Sequence, residues 1–209
     1  MSTIHAVTTI GIRDRIARAA RIFAAACLLA SCAPAVPNIT VRSAEPIVPS
    51  ADSVTMVIVQ PATHLHAVDI LDGHGQLVAQ VDDLCHTVVR LPEGPTLLYA
   101  VVGNDRSTAD RIEGTLVAGR LYYATVGARE GGVELLTLNP RSPGDRWKHK
   151  SEYLAATPRV QMDPLRITRA VNELGDTHAI LEAADARVAK LDAAALAKRT
   201  IQESDGFFP

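Results

Sequence analysis

Cysteine is scarce in this 209-residue chain: Cys27, Cys32 and Cys85 are all there are. Aromatic residues make up 4%, with a single tryptophan, Trp147. A fold stapled by several disulfides is therefore excluded, and a sugar-binding surface paved with aromatic rings is poorly supplied. Charge is nearly balanced, at 21 basic against 23 acidic residues, with no basic stripe and no interleaving of basic and aromatic side chains. That argues against a nucleic-acid partner. Long apolar runs are missing too: residues 22–30 are uncharged, but a membrane-spanning helix needs about 20 apolar residues. Catalytic patterns are equally absent. There is no Gly-x-Ser-x-Gly elbow, and Gly94, Gly103, Gly114 and Gly119 fall at turn spacings rather than in a phosphate-cradling loop.

What is present begins at the amino terminus. Arg13, Arg15, Arg18 and Arg21, with only Asp14 against them, precede the apolar 22–30 stretch, and small residues follow. This is the layout of a secretory signal. Its end, Leu29-Ala30-Ser31-Cys32, resembles the lipobox of bacterial lipoproteins. The resemblance implies cleavage of residues 1–31, with Leu29, Ala30 and Ser31 as the recognition positions. It also implies a diacylglycerol on the Cys32 sulfur and an acyl chain on its new amino group, with no other cofactor. At about 0.8 kcal/mol per buried methylene, two or three chains form a permanent anchor. Ala33 stands where an aspartate would retain a lipoprotein at the inner membrane, so the implied location is the outer membrane, facing the periplasm.

Cleavage discards Cys27 and acylation consumes Cys32, which leaves Cys85 without a partner. The fold must stand on its core, and Cys85, in the strand-like Leu84-Cys85-His86-Thr87-Val88-Val89, is expected as a buried structural thiol. Residues 32–52 contain Pro34, Pro37, Pro46 and Pro49 and read as the lipidated cysteine followed by a proline-rich tether. Such a tether would reach about 60 Å at about 3.1 Å per residue.

Residues 53–140 carry strand signals. Segments 54–59, 65–71, 76–81, 85–91, 96–102, 112–117, 121–126 and 133–138 are β-branched or apolar, with glycine or proline between them. The Asp72-Gly73-His74-Gly75 turn joins two of them as a hairpin. With no helix-length pattern between strands, the expected fold is mainly β, a small antiparallel β-sandwich of Ig-like or similar kind. A helical segment, residues 141–203, follows. Residues 145–154 predict a short helix whose Trp147 and Tyr153 can pack on the sandwich. Asp163-Pro164 then opens a longer one. Its apolar face comprises Ile167, Val171, Leu174, His178, Leu181, Ala184, Val188, Leu191 and Ala195. Continuous to Lys198, this helix would be about 50 Å long. Docked, it covers a sheet; projecting, it offers a seam to a partner. Residues 204–209 read as a frayed tail.

Histidines are the one chemical signal to weigh. His64 and His66 share a strand face, His86 lies on a nearby strand, and His74, Asp69 and Asp72 are close in sequence. Imidazole nitrogen suits zinc or copper, but this set lacks a defining spacing. Tyr122 and Tyr123 point to opposite faces of one strand, so either could stack on a glycan or pack in the core. Glu93 reads as a solvated turn residue. Asp105, Asp110 and Glu113, alternating with Arg106 and Arg111, read as an exposed loop or edge strand.

Three stretches carry a second resemblance: Val57-Ile58-Val59-Gln60-Pro61, Leu91-Pro92-Glu93-Gly94 and Ala118-Gly119-Arg120-Leu121-Tyr122-Tyr123. Together they resemble a family of uncharacterised periplasmic lipoprotein domains built as small β-sandwiches. Gln60 stands where that family has arginine, and Glu93 is inserted between proline and glycine. The family has no established activity to transfer. The sequence therefore points to a non-enzymatic, membrane-anchored envelope protein with a protein partner. Metal binding through His64, His66 and His86 and glycan or peptidoglycan binding through Tyr122 or Tyr123 stand as alternatives.

Overall fold

The computed structural model describes residues 39–61, 67–142 and 146–208. The cleavage motif and acylation position (Leu29, Ala30, Ser31 and Cys32) lie outside the described residues, as do His64 and His66.

Eleven strands are found among the described residues: β1 (Thr40–Arg42), β2 (Val54–Gln60), β3 (Val68–Asp72), β4 (Leu77–Val81), β5 (Cys85–Leu91), β6 (Gly94–Val102), β7 (Asp110–Leu116), β8 (Leu121–Arg129), β9 (Gly132–Thr137), β10 (Arg159–Met162) and β11 (Thr200–Ile201). They form two sheets, the first ordered β1-β10-β5-β2-β8-β9 and the second β11-β7-β6-β3-β4. The molecule is the mainly β sandwich expected from the turn spacing. Most neighbours run antiparallel, whereas β2–β8, β5–β10 and β7–β11 are parallel.

Alternation builds the core between the sheets. Val54, Met56 and Ile58 of β2 meet Ile70, Leu98, Ile112, Tyr122, Ala124 and Leu135 there. On the opposite face of β2, Thr55, Val57 and Val59 are also inaccessible. That is why Val54–Val59 reads as a continuous apolar run: the strand is central and covered on both faces.

The outer face of the second sheet is covered by helices, and here the long-helix expectation fails. Instead of one rod there are α2 (Ile167–Leu174), α3 (Thr177–Val188) and α4 (Ala193–Ala197), following the short α1 (Lys150–Ala156). Gly175 stops α2 in a left-handed conformation, φ 66°. Asp176 then caps α3, its Oδ1 accepting from the Ala179 N–H, and Asp192 caps α4 in the same way. Leu174, Ile180, Leu181 and Ala184 pack on Leu71, Tyr99, Val101 and Ala109, and the Tyr99 hydroxyl donates to Asp185 at 3.1 Å. The apolar stripe therefore docks through Leu174, Leu181, Ala184 and Val188, whereas Val171 is left 44% exposed. His178 is not part of the buried face; it is exposed and lies 3.2 Å from Glu182.

Two boundaries shift for the same reason. The presumed tether enters the fold at Ile39, which is fully buried, and β1 pairs with β10. Arg159 donates to the carbonyls of Glu45 and Pro46, and Arg90 to that of Val48, so the strap continues along the sheet edge. The presumed frayed tail is held as well: Asp205 is buried and Phe207 bridges Leu121. Val36–Pro209 forms one compact unit.

Candidate functional site

Strand β8 presents its two tyrosines to different worlds. Tyr122 faces the core, 1% exposed; its hydroxyl accepts from the Val117 N–H at 3.1 Å and donates to the Glu203 carbonyl at 3.3 Å. It offers no ring to a ligand. Tyr123 faces outward and meets Trp147 edge-on, with ring centroids 6.1 Å apart. The carboxy-terminal tail completes the group. Phe207 stacks on Trp147 at 4.9 Å with planes 17° apart, and lies 6.5 Å from Tyr123. Burial pushes the Tyr123 phenol above its ordinary value.

Cations sit against these rings. The Lys150 ammonium is 4.0 Å from the Trp147 centroid, 4.6 Å from Tyr123 and 5.2 Å from Phe207. Desolvation lowers its pKa below the ordinary lysine value. Arg120 lies 4.7 Å over Phe208, a ring left 71% exposed. A chain poor in aromatics has therefore gathered Tyr123, Trp147, Phe207 and Phe208 at one corner with two cations.

The corner is held by a buried polar clamp. Asp205 receives Arg141 at 2.6 and 2.7 Å, the Asn139 amide at 3.1 Å and the Gln202 backbone N–H at 2.8 Å. Beside it, a cavity of about 590 Å³ opens between β9 and α4, lined among others by Glu134, Asn139, Arg141, Arg146 and Lys198. Its charge is mainly positive. A second cavity, about 720 Å³, lies at the hairpin end of the sandwich between Asp72, His74, Arg90, Pro95, Leu97 and Glu113. Both fall in the size range of small-ligand sites, roughly 300–1,000 Å³.

Of the histidines weighed as ligands, the structure describes His74 and His86, and no metal-holding cluster forms around either among the described residues. His86 is buried, its Nδ1 2.9 Å from the Thr157 hydroxyl, and desolvation lowers its pKa. That bond ties β5 to the segment leading into β10. His74 is exposed in a turn whose shape Asp72 sets by accepting from the His74 and Gln76 N–H groups. No group of three His, Cys, Asp or Glu side chains able to hold a metal occurs among the described residues. Cys85 is buried as expected, and desolvation raises its thiol pKa.

One group was misread from sequence. Asp110 is not on an exposed loop or edge; it is fully buried, receiving Arg199 Nε and Nη2 at 2.9–3.1 Å and the Leu135 N–H at 2.9 Å. Nothing near Asp110 in sequence signals a partner 89 positions away. No known protein family, curated protein or solved structure matches this chain.

Proposed function

We propose that this protein is a non-enzymatic lipoprotein of the bacterial outer membrane, acylated at Cys32 and facing the periplasm, whose sandwich docks an envelope protein partner. The observation that supports the partner reading is the corner built from Tyr123, Trp147, Phe207, Phe208, Arg120 and Lys150. Aromatic residues and arginine are the side chains enriched where protein interfaces hold most of their binding energy. The flanking cations Arg146 and Lys198 favour a partner surface that is apolar at its centre and acidic at its rim. Sugar stacking is the weaker use of the same rings, because Lys150 already covers the group and Tyr122 is buried.

Two measurements test this. Fractionation of cells should find the protein in outer membranes, and Cys32→Ser should release it to the soluble fraction. A photo-crosslinker replacing Phe208 should then give one discrete adduct that Arg120→Glu abolishes, while a crosslinker at Leu84, away from the corner, gives none. Equal labelling from both positions would remove the corner as a docking site.

A further inference from the structure

The strap that follows the anchor is far shorter than the proline count suggests. Between Cys32 and buried Ile39 lie only residues 33–38. At no more than about 3.3–3.6 Å per residue, that segment spans at most about 25 Å, against the 60 Å of a free 20-residue tether. Ile39 is fixed on both sides: its N–H donates to Gln80 Oε1 at 2.9 Å and its carbonyl accepts from the Asp163 N–H at 2.7 Å. Thr40 adds a hydroxyl bond to Asp82, and the Ser43 N–H donates to the Arg159 carbonyl at 3.0 Å.

Apolar side chains protrude where the strap begins. Leu165, two residues beyond the Asp163 that grips Ile39, is 92% exposed, and Val41 on β1 is 39% exposed. Arg42, Arg166 and Arg169 flank them, the last two ion-paired to Asp163 and Glu173. A leucine so exposed beside arginines suits the boundary between headgroups and acyl chains, where apolar tips enter and cations stay in water.

We propose that the β1 edge, led by Leu165, rests on the bilayer that holds the Cys32 lipid, so that the aromatic corner points away from it. The occupant is the lipid surface because the chain to Cys32 holds this edge within about 25 Å of it, and Leu165 and Val41 are the apolar side chains exposed on that edge. Strand β8, which carries the corner, is four strands from β1, about 19 Å across the sheet at about 4.8 Å per strand. This inference rests on the lipid-anchor reading above.

The test uses the full acylated protein in liposomes, with a fluorescent label on Leu165→Cys or on Phe208→Cys, and spin-labelled lipid as quencher. Buried Cys85 stays unlabelled, which intact mass verifies. Quenching at position 165 is expected to exceed that at 208 at least threefold, and insertion of about 20 Gly/Ser residues between Val36 and Pro37 should erase the difference. Equal quenching in a protein that carries its lipid overturns the seating and leaves the anchor standing. Shielding of the 165 label from aqueous quencher without lipid quenching would assign the face to a second copy of the chain. An intact mass without lipid on Cys32 overturns both readings.

Discussion

Arg199 embraces Asp110 with Nε and Nη2 at 2.9–3.1 Å, at a site where the aspartate is fully buried and the arginine is 3% exposed. The pair joins β7 to the chain entering β11. Arg187 adds a contact at 3.7 Å to the same carboxylate and donates to the carbonyls of Ala109 and Val133. Burial lowers the pKa of Arg187, and the Asp110 carboxylate opposes that effect.

Removing the charge of Asp110 should therefore be severe. In Asp110→Asn the shape remains, but Arg199 keeps its charge in a buried site with only the partly exposed Glu134 left to oppose it. Breaking such a pair typically costs about 3–5 kcal/mol. Equilibrium denaturation should show a loss of that order. A loss below about 1 kcal/mol would mean that Glu134, 3.3 Å from Arg199, is sufficient alone.

Asp69 gives the protein a pH dependence. It is buried on β3, accepts from Gln80 Nε2 at 2.8 Å, and its Oδ2 has no hydrogen-bond partner among the described residues. Burial, followed by the Asp82 and Glu173 carboxylates, raises its pKa from 3.8 to about 7, against the lowering effect of the Gln80 bond. The folded protein thus holds a proton that the unfolded chain has released between pH 4 and 7. Stability must fall as pH rises through that window and level off above it. At about 1.4 kcal/mol per pH unit, the full effect is on the order of 4 kcal/mol. Asp69→Asn should match the parent near pH 4, exceed it at pH 8 and flatten the slope. Because Gln80 also holds Ile39, a parent protein with no such slope would mean that the carboxyl finds solvent.

Most strands were legible because their period and turn chemistry are local. The segment 85–91 was placed to the residue, and the Asp72–Gly75 turn announced its hairpin. The helical stripe was also legible, but its continuity was not: Gly175 costs a helix only about 1 kcal/mol by propensity, and Asp176 offers a second start that packing selects. The strap and tail were misread because proline-rich and terminal segments have no local pattern. What fixes them is distant, namely Gln80, Asp163 and Arg159 for the strap and Leu121 and Arg141 for the tail. The aromatic corner failed to show for the same reason. Tyr123, Trp147 and Phe207 are scattered over 85 positions of sequence and meet only in the fold.

Gly206 permits the tail to cross Tyr122. A Cβ there would stand 2.5 Å from Tyr122 Cζ, 2.8 Å from its hydroxyl oxygen and 2.9 Å from Arg120 Cβ. Tyr122 is locked in the core and cannot yield, so Gly206→Ala must lift the tail and weaken the Leu121–Phe207 bridge. Overpacking of this kind costs about 1–3 kcal/mol. Emission from Trp147, the sole tryptophan, should shift to longer wavelength as Phe207 leaves its face, and proteolysis should trim the carboxy terminus.

Lys150 raises the question of whether charge or ring area clamps the corner. Its ammonium gains from the faces of Trp147, Tyr123 and Phe207, a kind of contact worth about 0.5–1 kcal/mol at exposed sites. Desolvation works against the same charge and lowers its pKa. The two effects oppose each other, so Lys150→Met, which keeps the stem, should cost less than about 1 kcal/mol. Phe207→Ala removes the ring stacked on Trp147 and the bridge to Leu121 together, so it should cost more, about 2–3 kcal/mol. Denaturation of the two variants and of their double mutant separates the contributions. A coupling near zero would assign the clamp to ring area, whereas a Lys150→Met loss above 2 kcal/mol would assign it to the cation.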